Sequence, residues 1–249
     1  MLFIIKIITI LFLILFLLPL QVFFILLNVR LRFFLPIVFH KFLILILGIK
    51  IKVHGSPSDH KPLVLIGNHC SYLDIIILGS ILPVCFVAKS EIKNWLLFGY
   101  LAKLQNSIFI DRRNFKTLES LKKITGSFSK KFAIIIFPEG TTNDGKKVLK
   151  FRTSLFKMFE DNSTLGLQNF SLCYTHINSM PLDNRLRPTI AWYGGMNMIS
   201  HLSRILNLSS INAMIVFHPL SISNGIKRKH LSENSRKQVV EGINLALKL

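Results

Sequence analysis

The first 47 residues carry two apolar segments. Residues 7–29 contain no charged side chain and are rich in Leu, Ile and Phe, and a shorter apolar run covers residues 33–47. At about 1.5 Å per helical residue, the first segment is long enough to cross a hydrocarbon core about 30 Å thick. Pro19 and Pro36 can kink their helices. The pattern therefore predicts an N-terminal apolar helical membrane anchor, which is either one span or a helical hairpin within one leaflet.

After residue 61 the pattern changes to short apolar runs separated by amphipathic stretches. Strands are predicted at residues 62–67, 84–88, 107–110, 132–137, 170–174, 189–193 and 213–217, and a helix is predicted at residues 232–247. Strands that alternate with helices indicate an α/β fold with a mainly parallel central sheet flanked by helices. We expect the turn-rich residues 54–61 to mark the boundary between a membrane-anchoring segment, residues 1–52, and the body of the protein, residues 53–249.

The charge distribution favours a membrane surface. The chain has 31 basic and 12 acidic residues, a formal charge of +19, and 51% of its residues are hydrophobic. Residues 1–58 contain no acidic residue, and most of their basic residues follow the first apolar segment, so the positive-inside bias places the body in the cytoplasm. Residues 53–249 hold 25 basic residues and all 12 acidic ones, or +13. This excess favours partners that carry phosphate, namely nucleic acid or anionic lipid.

Polar residues follow the strand predicted at residues 62–67. Residues 68–74 read Asn-His-Cys-Ser-Tyr-Leu-Asp, and a helix-like apolar run begins at residue 75. If His69 lies in the loop and Asp74 in the first helical turn, the carboxylate can accept a hydrogen bond from Nδ1–H and leave Nε2 free as a general base. The spacing alone is weak support, since a loop histidine capped by a neighbouring carboxylate would have the same pattern. No Ser or Cys is convincingly placed as a nucleophile, so the substrate's own hydroxyl would take that part.

Two further polar clusters come at the ends of predicted strands. The second is Phe109-Ile110-Asp111-Arg112-Arg113, and the third is Phe137-Pro138-Glu139-Gly140-Thr141-Thr142. Arg112 offers a planar fork for a phosphate group. Glu139 can grip substrate hydroxyls or order the site, and Gly140 allows the backbone to approach a ligand closely.

In combination the three clusters resemble the membrane glycerolipid acyltransferases of the lysophosphatidic acid acyltransferase type. That family's pattern includes a His-x4-Asp block, a Phe-Ile-Asp-Arg-like block and a Phe-Pro-Glu-Gly-Thr block in this order, and the resemblance runs from about residue 50 to about residue 220. It implies an acyltransferase domain at residues 53–249, with His69 and Asp74 as the catalytic pair. The substrate-binding residues expected from it are Asn68, Phe109, Asp111, Arg112, Phe137, Pro138, Glu139, Gly140, Thr141 and Thr142.

Two downstream segments are similar to a bacterial subgroup that contains both lysophosphatidic acid and lyso-ornithine-lipid acyltransferases. They are residues 141–156 and 191–201. The family usually has a proline-containing block on a later strand, but residues 169–173 contain no proline here. We therefore assign no site role to that strand.

The resemblance implies acyl transfer from acyl-CoA or acyl carrier protein to the free hydroxyl of lysophosphatidic acid, which gives phosphatidic acid for phospholipid biosynthesis. Acylation of lyso-ornithine lipid or another lysolipid is the alternative. His69 would act as the base, and backbone N–H groups near the first block would stabilise the oxyanion. We expect no metal or redox cofactor, and we expect membrane lipids as partners in the cytoplasmic membrane, with the catalytic domain facing the cytoplasm.

Three other classes of protein are less consistent with the sequence. A metal-dependent phosphohydrolase would need clustered ligands, which the widely spaced acidic residues and three separate cysteines do not suggest. A nucleic-acid-binding protein would suit the high pI but does not explain two apolar segments. A non-catalytic lipid-binding membrane protein remains a remote alternative.

Overall fold

The computed structural model describes residues 2–111, 118–129, 131–222 and 225–248. The first half contains α1 (Leu2–Leu26), α2 (Leu35–Leu47), β1 (Ile49–His54), β2 (Leu63–Gly67), α3 (Leu73–Ile81), β3 (Val84–Lys89), α4 (Leu96–Leu104), β4 (Ile108–Ile110) and α5 (Leu118–Thr125). The second half contains β5 (Ala133–Ile136), α6 (Lys157–Glu160), β6 (Gly166–Ile177), β7 (Met180–Pro181), α7 (Arg187–Ile190), α8 (Met198–Asn207), β8 (Ile211–Ile222) and α9 (Arg228–Ala246). Short 3₁₀ turns cover Arg30–Phe33, Ser90–Asn94 and Thr153–Phe156.

The two N-terminal helices confirm the predicted apolar helical segment. By length and composition, α1 is able to cross a membrane, and most of its surface is exposed. It is nevertheless attached to the body at both ends. The ammonium group of Lys6 donates to the carbonyl oxygen of Leu208 at 2.6 Å, and Nε2 of Gln21 donates to that of Leu104 at 3.0 Å. Both of these polar side chains are buried, so α1 turns Lys6 and Gln21 toward the protein.

The central sheet has the strand order β1-β8-β6-β2-β5-β3-β4, and β7 extends β6 as a short hairpin. All neighbours from β6 across to β4 are parallel, β1 is parallel to β8, and the antiparallel β6–β8 pair joins the two groups. This confirms the predicted α/β fold with a mainly parallel sheet. It also brings the carboxyl ends of β2, β5, β3 and β4 to one edge, where ligands bind in open sheets of this kind.

Two apolar layers cover the faces of this sheet. Leu63 and Leu65 of β2 point into a layer formed with α3 and α8, and the alternate residues Val64 and Ile66 point into a second layer formed with α9 and residues 148–159. Every residue of β2 and β5 is buried. Strands buried on both faces have continuous apolar sequences, which explains why these two were recognisable.

The strand predicted at residues 189–193 is wrong. Residues 189 and 190 are the end of the short helix α7, which has Pro188 in its first turn, and Ala191 then returns to an extended conformation. Proline lacks the N–H that a sheet position requires, whereas its fixed φ suits the first turn of a helix. The extended residues after α7 contact the loop that follows β2, because the N–H of Trp192 donates to the carbonyl oxygen of Cys70 at 2.8 Å.

Strand β1 was not expected. Residues 49–54 pair with β8 and so carry the sheet across the boundary expected between residues 52 and 53. Helix α2, directly before β1, packs on α3, and a Cβ atom at Gly79 of α3 would overlap the ring of His40. The division into a membrane-anchoring segment, residues 1–52, and an acyltransferase domain, residues 53–249, stays a prediction.

Candidate active site

The turn after β2 brings His69 and Asp74 into contact. Helix α3 begins at Leu73, which places Asp74 in its first turn. The Nδ1 atom of His69 lies 2.7 Å from Oδ2 of Asp74. A carboxylate in this position selects the tautomer in which Nδ1 carries the proton and donates it, so that Nε2 keeps its lone pair.

Asp74 is held by four donors. Its Oδ2 atom also accepts the N–H groups of Cys70 at 2.9 Å and Ser71 at 3.1 Å, and its Oδ1 atom accepts the hydroxyl of Tyr174 at 2.7 Å. The residue has no exposed surface. A buried carboxylate with this many donors has little freedom to rotate, so the imidazole bonded to it is also fixed in orientation.

The imidazole of His69 lies against Phe137. The two rings are stacked, with centroids 3.9 Å apart and planes 12° from parallel. The His69 side chain keeps 16% of its surface exposed, and within the described part of the chain no hydrogen bond occupies Nε2. This nitrogen is therefore placed to accept a proton from a molecule that enters the site.

Glu139 connects the first and third blocks. Its Oε1 atom accepts the N–H of His69 at 3.0 Å, and its Oε2 atom accepts the side-chain amide of Asn143 at 2.5 Å and the N–H of Leu149 at 3.0 Å. Burial raises the pKa of Glu139, and these hydrogen bonds and the neighbouring His69 partly offset the increase. The carboxylate thus binds protein groups, and its geometry fits the ordering role better than contact with substrate hydroxyls.

The expected oxyanion donors in the first block are already in use. The N–H of His69 is bonded to Glu139, and those of Cys70 and Ser71 are bonded to Asp74. Because each is occupied inside the protein, residues 69–71 do not supply free backbone donors, and the expectation of oxyanion donors near the first block stays a prediction.

Asn68 also has internal partners. Its amide group donates to the carbonyl oxygen of Leu172 at 2.8 Å and accepts the N–H of the same residue at 2.9 Å. This paired arrangement is buried, and it connects the loop of residues 68–72 to β6. The structure gives Asn68 a supporting position rather than a surface open to substrate.

The rest of the third block forms the turn after β5. Gly140 has φ +70°, and the guanidinium group of Arg152 lies where its Cβ atom would be, so a glycine is required there. The carbonyl oxygen of Pro138 accepts the N–H of Arg152 at 3.0 Å. Thr141 and Thr142 are partly exposed beside this turn, and the hydroxyl of Thr141 donates to the carbonyl oxygen of Thr142 at 3.3 Å.

The second block lies further along the same edge. Phe109 is in β4, the last strand of the sheet order, and the exposed Asp111 follows it. Strands β5 and β3 separate β4 from β2. Arg112 and Arg113 lie outside the described residues.

An aromatic cluster lies beside the loop of residues 68–72, and the sequence analysis did not predict it. Trp192 contacts both Tyr72 and Trp95, with ring centroids 6.1 Å apart in each pair, and the hydroxyl of Tyr72 is 3.0 Å from Nδ1 of His201. Burial lowers the pKa of His201, which therefore remains neutral and able to accept this bond. Within the described residues, no group of three His, Cys, Asp or Glu side chains is arranged to hold a metal ion.

Comparison with known proteins identifies the family. Residues 50–169 match the family model described as Acyltransferase. The chain is 34% identical over 208 residues to a lyso-ornithine lipid O-acyltransferase of Rhizobium meliloti (strain 1021), a match that covers 81% of this chain and 71% of that protein. It is 29% identical over 106 residues to a 1-acyl-sn-glycerol-3-phosphate acyltransferase of Neisseria gonorrhoeae, which covers 41% of this chain and 42% of that protein.

A solved structure supports the fold. The crystal structure of the 1-acyl-sn-glycerophosphate (LPA) acyltransferase PlsC from Thermotoga maritima superposes with a TM-score of 0.57 at 19% identity, and the match covers 83% of this chain and 77% of that one. The order of the three blocks, the paired His69 and Asp74, and these similarities lead to one conclusion. The chain belongs to the acyltransferase family that includes lyso-ornithine lipid and 1-acyl-sn-glycerol-3-phosphate acyltransferases, and it is an acyltransferase.

Proposed function

We propose that the enzyme transfers a fatty acyl group from a thioester to the free hydroxyl of a lysolipid, with His69 as general base and Asp74 as its partner. The observation that carries this proposal is the 2.7 Å contact between Nδ1 of His69 and Asp74, which leaves Nε2 available at the surface of the site. No covalent intermediate on the protein is needed, because the acceptor supplies the nucleophile.

The reaction follows from this geometry. Nε2 takes the proton of the acceptor hydroxyl as its oxygen attacks the thioester carbonyl, and the buried Asp74 stabilises the imidazolium that forms. When the tetrahedral intermediate collapses, the C–S bond breaks and the thiolate takes the proton from Nε2. The base is then regenerated. The donor is acyl-CoA or acyl carrier protein, both of which carry the acyl chain as a thioester.

Lysophosphatidic acid is our first candidate for the acceptor, and phosphatidic acid is then the product. Its phosphate monoester carries about −1.5 to −2 charges near neutral pH, by analogy with other phosphomonoesters. Residues 53–249 carry a net charge of +13, which suits an anionic headgroup. Arg112 would bind this phosphate bidentately.

A specific observation favours lyso-ornithine lipid as a second candidate. The similarity to the Rhizobium meliloti protein extends over 81% of this chain, whereas that to the Neisseria gonorrhoeae protein covers 41%. A lyso-ornithine lipid has no phosphate and presents an amino-acid headgroup, whose carboxylate Arg112 would also be able to bind.

Exposed apolar side chains support a position for the site against the membrane. Leu96, at the start of α4, is 96% exposed, Ile199 of α8 is 80% exposed, and many large apolar side chains of α1 are exposed as well. Because Trp95 and Trp192 connect this region to the loop of residues 68–72, we place the site against the bilayer. The excess of basic residues after the first apolar segment favours the cytoplasmic face of the inner membrane.

Competition between the two acceptors tests the proposal. Purified protein receives one radiolabelled acyl thioester and equal amounts of lysophosphatidic acid and lyso-ornithine lipid, and the two products are separated and counted. We expect phosphatidic acid to dominate. A product that is mainly acylated ornithine lipid would make the second candidate the function, and no transfer to either acceptor would refute the proposal.

Variants of Arg112 test how the headgroup is held. Arg112→Ala should lower kcat/KM for lysophosphatidic acid by an amount that corresponds to roughly 1.5–3 kcal/mol, the scale of a hydrogen bond to a charged group. Arg112→Lys should restore only part of this kcat/KM, because lysine lacks the planar fork. Arg228→Ala, at the exposed start of α9, serves as the control for the loss of one positive charge. Unchanged rates with both acceptors in Arg112→Ala would exclude this residue from headgroup binding.

A further inference from the structure

Tyr174 reaches the catalytic pair from a strand that has no part in the three sequence blocks. It lies on β6, is 3% exposed, and donates its hydroxyl proton to Oδ1 of Asp74 at 2.7 Å. The three other donors to Asp74 all bond to Oδ2. Apart from the tyrosine hydroxyl, the contact at Oδ1 is the thiol of Cys70 at 4.0 Å, which is long for a hydrogen bond from a weak donor.

We propose that Tyr174 is a positioning residue that sets both the orientation of Asp74 and the proton affinity of His69. The proposal rests on the proposed role of His69 as general base. Tyr174 bonds to Oδ1 of Asp74 and His69 to Oδ2, so the tyrosine acts on the imidazole through the carboxylate.

The hydroxyl remains a donor throughout the working pH range. Burial, followed by the negative charge of Asp74, holds the pKa of Tyr174 well above its ordinary value. Burial likewise raises the pKa of Cys70 well above its ordinary value and that of Cys173 to about 11, so both neighbouring thiols are neutral. Tyr72 also keeps its proton, since burial raises its pKa. The charged groups that act on this cluster are Asp74, Glu139 and Arg187.

Loss of the hydroxyl has two expected effects. First, Oδ1 loses its strong donor, so the carboxylate of Asp74 is able to rotate more freely. A smaller fraction of enzyme molecules then has the imidazole of His69 in the productive orientation. Second, a carboxylate with one donor fewer keeps more negative charge and binds the proton of the imidazolium more tightly. Since the base must be unprotonated to act, the acid limb of the pH–rate profile should then move to higher pH.

Tyr174→Phe tests both effects in the full-length protein in detergent. We expect kcat to fall about tenfold, the lower end for a hydrogen bond to a charged group, while the KM for both substrates changes less than about twofold. The acid limb should move upward by about 0.5–1 pH unit. A change that only loosened the fold would lower the active fraction without moving this limb.

Ser171→Ala is the matched control. Ser171 is also a fully buried hydroxyl on β6, but it bonds to the carbonyl oxygen of Val239 and lies near His218, on the face of the sheet covered by α9. The variant should lose some thermal stability and keep the parental pH profile. An equal shift in Ser171→Ala would overturn the proposal, because the shift would then come from any buried hydroxyl lost from β6.

Difluorotyrosine placed at position 174 gives a second variant that keeps the aromatic ring and its hydroxyl. Its more acidic hydroxyl is a stronger donor, so the acid limb should move to lower pH, opposite to the direction expected for Tyr174→Phe. Movement of both variants in the same direction, or of neither, would refute the proposal.

A readout without turnover separates this proposal from the proposed function. Histidine-labelled protein is titrated by NMR, with the His69 signal assigned by its absence in His69→Gln. Tyr174→Phe should raise the protonation midpoint of His69 by about 0.5–1 pH unit whether or not an acceptor has been found. An unchanged midpoint would overturn the inference about Tyr174, whereas a shifted midpoint in a protein without transferase activity would refute only the proposed function.

Discussion

Replacement of Asp74 by Asn removes one charge from the catalytic pair with little change in shape. The amide oxygen can take the Oδ2 position and continue to accept from His69, Cys70 and Ser71. The amide nitrogen then faces Tyr174, whose hydroxyl is able to rotate and accept a hydrogen bond instead of donating one. All four contacts of the buried side chain can therefore be kept, so we expect the Asp74→Asn protein to fold.

The catalytic loss in Asp74→Asn should be large because the imidazolium loses its counter-charge. A charge-assisted hydrogen bond contributes about 1.5–3 kcal/mol more than no bond, and each 1.36 kcal/mol corresponds to about a tenfold change in rate. A flipped amide, which would favour the wrong tautomer of His69, adds to this loss. From the loss of charge alone we therefore expect kcat to fall by about 10–150-fold, with a larger fall if the amide flips.

The assay is transfer of a radiolabelled acyl group from the thioester to the lysolipid at saturating concentrations of both. Thermal unfolding in the same detergent checks that the variant is folded. Asp161→Asn, at an exposed position after α6, is the control for removal of an aspartate charge elsewhere. A folded Asp74→Asn enzyme that keeps more than about a third of the parental kcat would contradict the role of the ion pair in catalysis.

Four further predictions concern Glu139, the packing of α2 on α3, and the contact of α4 with lipid. Glu139→Gln should lower kcat about tenfold with every acceptor and leave KM unchanged, because the carboxylate binds protein groups; a selective rise in KM for one acceptor would instead show substrate contact. Burial raises the pKa of Glu139, so its protonated form contributes stability at low pH that is lost as pH rises through this raised pKa. Glutamine does not titrate, so the difference in melting temperature between the parent and Glu139→Gln should narrow as pH rises over that range. Gly79→Ala should destabilise the protein by about 1–3 kcal/mol through overlap with His40, measured by thermal unfolding, whereas Gly195→Ala, with open space around its Cβ atom, should not. Vesicles of brominated lipids should quench the fluorescence of the two tryptophans, and Leu96→Glu should reduce this quenching; equal quenching in both proteins would remove α4 from the bilayer contact.

Much of the fold could be predicted from the sequence because the central strands are buried on both faces. Residues 63–67 and 133–136 are continuous apolar runs, and their lengths fit strands. Strand β1 was missed because it has only one buried residue, Ile49, and its lysines look like the polar flank of the preceding apolar segments. Residues 189–193 have a strand-like composition, but the adjacent Pro188 and the contact with Cys70 decide their conformation.

Spacing along the chain could predict a contact within the candidate site only where the residues are close in sequence. His69 and Asp74 are five residues apart, so a loop followed by a helical turn is enough to bring them together. Tyr174 is 100 residues from Asp74 and belongs to a strand whose sequence carries no polar motif. The internal use of the N–H groups of residues 69–71 was equally hidden, because it depends on where Glu139 and Asp74 lie after the chain has folded.

If α1 is the membrane anchor that we propose, its attachment at both ends would fix the immersion depth of the enzyme. Lys6 and Gln21 are separated by about 22 Å along the helix axis, and each bonds to a backbone carbonyl of the body. A helix held at two such distant points cannot swing as a tether does, so anchor and catalytic edge move through the lipid as one unit. In that arrangement His69 would stay at a constant height relative to the headgroups, and a lysolipid would reach it by lateral diffusion within its leaflet, without first leaving the bilayer.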